Sequence, residues 1–197
     1  MRQSLSDCEA EYGNLGFEVS SSVFSERSPS SSGRSPRSGY GLALPPLEGV
    51  VGADRALAGI PEDRVRYHLC WGSWHGPHTH DLPLEHIIDL ILDVKAQTYS
   101  FEAANVRHEH EWRVWQQAKL PAGKMLMPGV VSHATNLVEH PQLVADRILR
   151  YAQIVGRENV IAGTDSGLGG RVHADLAWAK LRSLAEGARL ASKELWA

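Results

Sequence analysis

Beyond residue 64 the apolar positions of this chain fall into an ordered series of short strand-like runs and longer amphipathic segments; before it they are sparse and without period. Val65–Cys70, VRYHLC, has the length and the mix of apolar and aromatic residues of a strand. The loop WGSWHGPHTHD follows, and Pro83 then opens the amphipathic segment PLEHIIDLILDVKA, with proline at a favourable first-turn position for a helix. Gln97–Phe101 predicts a second strand, followed by a helix through RHEHEWRVWQQAK. Lys124–Val131 predicts a third strand, and HPQLVADRILRYAQIVG a helix closed by Gly156. Asn159–Gly163 predicts the fourth strand and Val172–Trp196 the last helix. Four successive βα units imply an α/β fold with a parallel sheet and helical crossovers.

The stretch from Ser20 to Pro46 is of another kind, rich in Ser, Arg, Pro and Gly. It has too few large apolar groups to offset the entropy of ordering itself, so residues 1–46 are expected to be low-complexity and disordered, with the folded domain at 47–197. Serine–proline pairs in this stretch admit a modification-site reading, against the plainer one of a solvated linker.

Composition changes this picture only by exclusion. With 197 residues, 43% hydrophobic and 22% charged, the chain suits one domain with a real core. A formal net charge of -3 gives no footprint for nucleic acid or an anionic membrane, and no apolar run is long enough for a bilayer span. Two cysteines, Cys8 and Cys70, lie in unlike regions, which argues against a disulfide framework and for a cytoplasmic setting.

In parallel α/β folds the chemistry gathers where strands run out into the loops before helices. The first strand carries His68 and Cys70, two residues apart and therefore on one face, an imidazole and a thiol suited to a soft divalent metal. The second strand ends at Glu102, the third leads to Ser132 and His133, and the fourth runs into Thr164-Asp165-Ser166-Gly167. Polar or metal-competent groups thus arrive at all four strand ends.

From about Gly59 onward, His68-x-Cys70, Glu102 in YSFEAAN, His133 in VVSHATN and Asp165–Leu168 (DSGL) resemble, in order, the motifs of the C-terminal half of the cobalamin-independent methionine synthase family. The resemblance implies about half of a (β/α)8 barrel of the type shared with uroporphyrinogen decarboxylase. It implies a zinc-dependent S-methyltransferase of methionine biosynthesis, moving a methyl group from a methylated folate to homocysteine. By the same resemblance His68, Cys70 and Glu102 are metal ligands, and Ser166 stands where the family has a cysteine ligand. His133 is the proton-donating catalytic residue, and Asp165 and Glu102 bind the substrate. Epoxyalkane–coenzyme M transferases share the framework, so thiol alkylation is implied more firmly than any one substrate.

Two departures bear on catalysis by this chain alone. A serine hydroxyl is a much poorer zinc ligand than a thiolate, so Ser166 should weaken metal retention. A complete barrel takes about 250 residues, and only four βα units are visible here. A truncated, non-catalytic remnant is therefore an alternative reading. The open edges of a half barrel also lead us to expect a homo-oligomer.

Plainer readings stand beside these. Cys70 is also a small buried hydrophobe, Glu102 also a helix cap, and Trp71 and Trp74 also core. His75, His78 and His80 admit a metal hydrolase built with His133 and Asp165, although the prolines of that loop argue for solvated histidines. His108 and His110 read as surface residues of a charged helix, and Gly167–Gly170 as a turn rather than a phosphate loop.

Overall fold

The computed structural model of the chain describes residues 55–72, 78 and 81–197, together with the backbone of Phe17–Ser22. Five strands form one sheet in sequence order: β1 (Phe17–Ser22), β2 (Val65–Cys70), β3 (Thr98–Phe101), β4 (Met125–Val131) and β5 (Gly163–Thr164). Every neighbouring pair is parallel. Strands β2 to β5 with their covering helices make the half barrel expected from the alternation of strands and helices. β1 adds a further strand beside β2, Phe17 pairing with Val65 and Ser22 with Cys70. It lies inside the stretch 1–46 read as disordered; the alternating start of FEVSSS suits a strand, and the open edge of β2 supplies hydrogen-bond partners. The remainder of 1–46 lies outside the described residues.

Alternation sorts the strand side chains onto two faces. Val65, Tyr67 and Leu69 of β2, Tyr99 and Phe101 of β3 and Leu126 of β4 are buried in one apolar cluster. Over them lie Ile88 and Ile91 of α1 (Ile88–Leu92) and Tyr151 of α2 (Pro141–Val155). Each such aliphatic side chain contributes about 1.5–3 kcal/mol when fully buried. A second cluster joins Val130 and Val131 to Val144 and Ile148 of α2 and Ala191 of α3 (Ala174–Leu195). The opposite, concave face carries Arg66, His68, Ser100 and Met127, which line a cavity.

The two segments after β2 and β3 are tighter and shorter than the amphipathic pattern predicts. The Pro83 segment forms a 3-10 turn at Leu84–His86 before α1. Its entry is held by the Glu111 carboxylate, which accepts from the Leu84 N–H at 2.7 Å. At its other end the Tyr99 hydroxyl donates to the Leu92 and Val94 carbonyls, capping the short helix. Glu109–Gln116 is a 3-10 helix, whose three-residue turn sets buried His108 and Glu111 on one side. The later helices agree closely with their patterns, and α2 ends at Gly156, whose φ of 92° is open to glycine. Among the described residues no helix is long and apolar enough to cross a membrane.

Candidate functional site

The C-terminal ends of β2 and β3 lie side by side, which sets Cys70 against Glu102. The Cys70 thiol donates to Glu102 Oε1 at 3.5 Å and accepts from the Gly72 N–H at 3.3 Å. Cys70 is buried, 6% exposed. His68, two residues earlier on the same face, places Nδ1 2.9 Å from Ser100 Oγ of β3. Their register makes this contact inevitable, because His68 and Ser100 are paired across the ladder.

Glu102 is only 1% exposed, and both its oxygens are engaged. Besides the thiol, Oε1 accepts the Trp71 N–H at 3.4 Å. Oε2 accepts from Asn105 Nδ2 at 2.7 Å and from Arg107 Nη2 at 3.1 Å. Arg107 reaches on with Nη1 to Asp81 Oδ2 at 3.0 Å, and Asp81 also holds His78 Nδ1 at 2.9 Å. The guanidinium supplies the charge that a buried carboxylate needs.

Asp165 follows β5 and is wholly buried. Its Oδ1 accepts two backbone N–H groups, of Ala103 and Ala104, each at 2.7 Å. Its Oδ2 accepts Asn105 Nδ2 at 3.0 Å, so one amide bridges the carboxylates of Glu102 and Asp165. Burial pushes the Asp165 carboxyl up to about 6, with the nearby Glu102 charge adding to it; the hydrogen bonds from Ala103, Ala104 and Asn105 oppose the rise. The fit is close: a Cβ on Gly129 of β4 would lie 2.6 Å from Asp165 Cα, so only glycine allows β5 to leave the sheet here.

The loop that holds Asp165 is itself fixed from α2. Arg147 donates to the Ala104 carbonyl at 3.2 Å and the Val130 carbonyl at 3.0 Å, and pairs with Glu109. His133, just past β4, is 1% exposed, and the N–H of its neighbour Ser132 donates to Glu139 Oε1 at 2.8 Å. Glu139 is paired in turn with Lys180 of α3, 0% exposed, at 2.9 Å.

Cys70, Glu102 and Asp165 are thus gathered into one hydrogen-bonded cluster. His68 and Ser166 line the adjoining cavity, and His133 is buried at the end of β4. As a zinc site the expected set does not fit. Among the described residues no three His, Cys, Asp or Glu side chains are placed to hold a metal. The Glu102 oxygens are committed to the thiol, two N–H donors and a guanidinium, and the position of the expected fourth ligand offers a hydroxyl. In the alternative hydrolase set, His78 turns to Asp81; His75, His80 and also Trp74 lie outside the described residues.

One histidine is corrected. His108, read as a surface residue, is 3% exposed, stacked on Trp71 with centroids 4.0 Å apart, and bonded to Glu111 at 2.8 Å. The tight 3-10 turn rolls it inward, while His110 is exposed as expected. Asn105, Arg107, Asp81 and Arg147 escaped the sequence reading. The signal available for the first was its place three residues beyond Glu102 on the same loop.

No family profile and no curated protein matches the chain at the sequence level. Among solved structures it is similar to a B12-independent methionine synthase from Shewanella sp. W3-18-1 in complex with selenomethionine, at 20% identity and a TM-score of 0.59. The similarity covers 75% of this chain and 44% of that one, so the chain spans less than half of its neighbour. At this identity the likeness establishes the fold.

Proposed function

We propose that the chain is a thiol S-methyltransferase half barrel of the B12-independent methionine synthase type, taking homocysteine as acceptor and a methylated folate as donor. The observation that carries this reading is the buried Cys70–Glu102–Asn105–Asp165 cluster at the C-terminal ends of β2, β3 and β5. Three of its members, Cys70, Glu102 and Asp165, are residues which the motif resemblance singles out, on a fold similar to that of a methionine synthase.

In the reaction the acceptor sulfur attacks the methyl carbon, the carbon–nitrogen bond to the donor breaks, and the departing nitrogen takes up a proton. His133 is assigned that proton donation, since an imidazole at the end of β4 is a group able to carry a proton to a nitrogen. Glu102 and Asp165 are assigned the ammonium group of the amino acid, because they are two carboxylates joined through the neutral Asn105 amide, and Arg107 contacts only Glu102 of the two. Zinc enters no step, as the residues do not fit it.

A second reading, a non-catalytic protein, is favoured by Ser166, a hydroxyl where the resemblance expects a cysteine ligand. The test is methionine formation from homocysteine and methyltetrahydrofolate by the purified chain, with and without added zinc, beside His133→Gln and Asp165→Asn. Product formation lost in His133→Gln supports the transferase. Binding of methionine without turnover selects the second reading, and neither binding nor turnover by folded protein overturns both.

A further inference from the structure

Two of the groups that touch Glu102 are themselves held by a chain of ion pairs outside the cluster. Arg107 bridges two carboxylates, with Nη2 on Glu102 Oε2 at 3.1 Å and Nη1 on Asp81 Oδ2 at 3.0 Å. Asp81 lies in the segment between β2 and Leu84, 26 residues from Arg107 along the chain. Its two oxygens are 2.9 and 3.1 Å from His78 Nδ1, and Oδ2 also faces His108 Nε2 at 3.5 Å. The other ring nitrogen of His108 sits 2.8 Å from Glu111 Oε2, and Glu111 takes the Leu84 N–H on its second oxygen. The same imidazole stacks on Trp71, whose backbone N–H donates to Glu102 Oε1 and whose indole donates to the Leu82 carbonyl at 2.6 Å. His108 thus meets both routes to Glu102, one through Asp81 and Arg107 and the other through Trp71.

We propose that Asp81 and His108 are positioning residues for the site: they hold the Arg107 guanidinium on Glu102 and so fix the face that this carboxylate presents to the substrate ammonium group. An arginine side chain has much rotamer freedom to lose, and a single contact with Glu102 leaves the guanidinium free to turn about its Cζ–Nε bond. A second carboxylate on the other terminal nitrogen fixes the plane of the fork. Asp81 does this only if its own carboxylate is held, and a buried imidazole clamped between Glu111 and Trp71 gives it a rigid stop. Binding geometry is tight only where such a supporting shell locks the groups that touch the ligand. The role of Glu102 toward an ammonium group rests on the methyl-transfer reading; the hold on Arg107 does not.

Heteronuclear NMR of the guanidinium nitrogens in the full chain tests the hold, the Arg107 signals being identified by their loss in Arg107→Lys. A fork that bridges two carboxylates is expected to give separate Nη1 and Nη2 signals, because turning about the Cζ–Nε bond is slowed. Asp81→Asn keeps the size and removes the charge, and is expected to merge the two signals; Asp81→Glu restores the charge and should recover part of the separation. Calorimetric titration with methionine then reads the site. Asp81→Asn is expected to weaken methionine binding about tenfold, with partial recovery in Asp81→Glu, since a charge-assisted contact behind Glu102 is lost. His108→Gln should move both readings in the same direction. Merged signals in the wild type, signals that stay separate in folded Asp81→Asn, or wild-type methionine affinity in that variant overturn the proposal. If Asp81→Asn fails to fold, as read by circular dichroism, the wild-type signals and His108→Gln decide by the same readings. A wild type that binds no methionine overturns the methyl-transfer reading instead, and the guanidinium signals alone then decide whether Asp81 and His108 hold Arg107.

Discussion

Asp165 should make the stability of this fold depend on pH in a direction opposite to that of an ordinary salt-bridged carboxylate. Its carboxyl rises from 3.8 to about 6, chiefly through burial. A shift of about two units, at 1.36 kcal/mol per unit, makes the ionised form cost the native state about 3 kcal/mol. Between those two values the native state binds more protons than the unfolded chain, so stability falls as pH rises through the window. The stabilisation is fully present below the unfolded value and lost once pH has passed about 6. Other groups titrate too, so the informative quantity is the difference between wild type and Asp165→Asn, which does not titrate at this position. Urea unfolding followed by tryptophan fluorescence at intervals from about pH 4 to about pH 7 gives that difference. It should fall by about 3 kcal/mol over the range, a large share of the stability of a typical domain. A flat difference, or one that rises with pH, would show that the two backbone N–H donors outweigh burial and would refute the reasoning.

Three further outcomes follow from packing and charge. Gly187 of α3 sits so close to α2 that a Cβ there would lie 2.4 Å from Val144 Cγ1 and 2.7 Å from the Pro141 carbonyl oxygen. Gly187→Ala should therefore destabilise by about 1–3 kcal/mol despite the better helix propensity of alanine, with Val144→Ala restoring part of the loss in thermal unfolding. Lys180→Met leaves the Glu139 carboxylate buried without its 2.9 Å partner, and should cost about 3–5 kcal/mol in denaturant unfolding. Adding Glu139→Gln should recover most of that cost, and no recovery would show that the pair is not what matters. Finally, the wild-type chain should leave gel filtration with well under one equivalent of zinc, and Ser166→Cys should raise retention by supplying a thiolate; equal metal content in both proteins would count against this account of the site.

β2, β3 and β4 were legible because each is a short apolar run, and β2 coincides with its pattern at both ends; β5 is only Gly163–Thr164, at the far end of the run expected from Asn159, and β1 falls in the stretch read as disordered. The strand ends were legible for the same reason: once a strand is placed, Cys70, Glu102 and Asp165 must emerge on neighbouring loops. The middle helices were less so. The pattern around Ile88 and Trp115 shows only which residues are buried, and cannot show that Glu111 and Tyr99 hydrogen-bond their neighbours' backbone and tighten the turns. The site's supporting residues were hidden by distance along the chain. Arg107 meets Asp81 across 26 residues, Arg147 meets Ala104 across 43, and Asp165 meets Ala103 across 62, and no local period records such contacts. A metal site was expected because ligand types follow strand spacing; whether they converge depends on what else claims each ligand, and here Arg107 claims Glu102.

That claim also explains why the proton lodges where it does. Glu102 and Asp165 share a single amide, Asn105 Nδ2, at 2.7 and 3.0 Å, but only Glu102 has a cation in contact. Among the described residues Asp165 is held by neutral donors, and burial, with the charge of Glu102 adding to it, pushes its carboxyl to about 6. The one guanidinium in contact with Glu102 is shared with Asp81. On the proposed function, the ammonium group of a bound amino acid would supply the positive charge that Asp165 lacks. Binding of an amino acid should then favour the ionised form of Asp165 and lower its titration toward the ordinary carboxylate range. This links the acid-side stability of the empty chain to its affinity for a substrate amine: the same carboxylate that costs the empty fold its stability above pH 6 is the one that a bound ammonium would relieve.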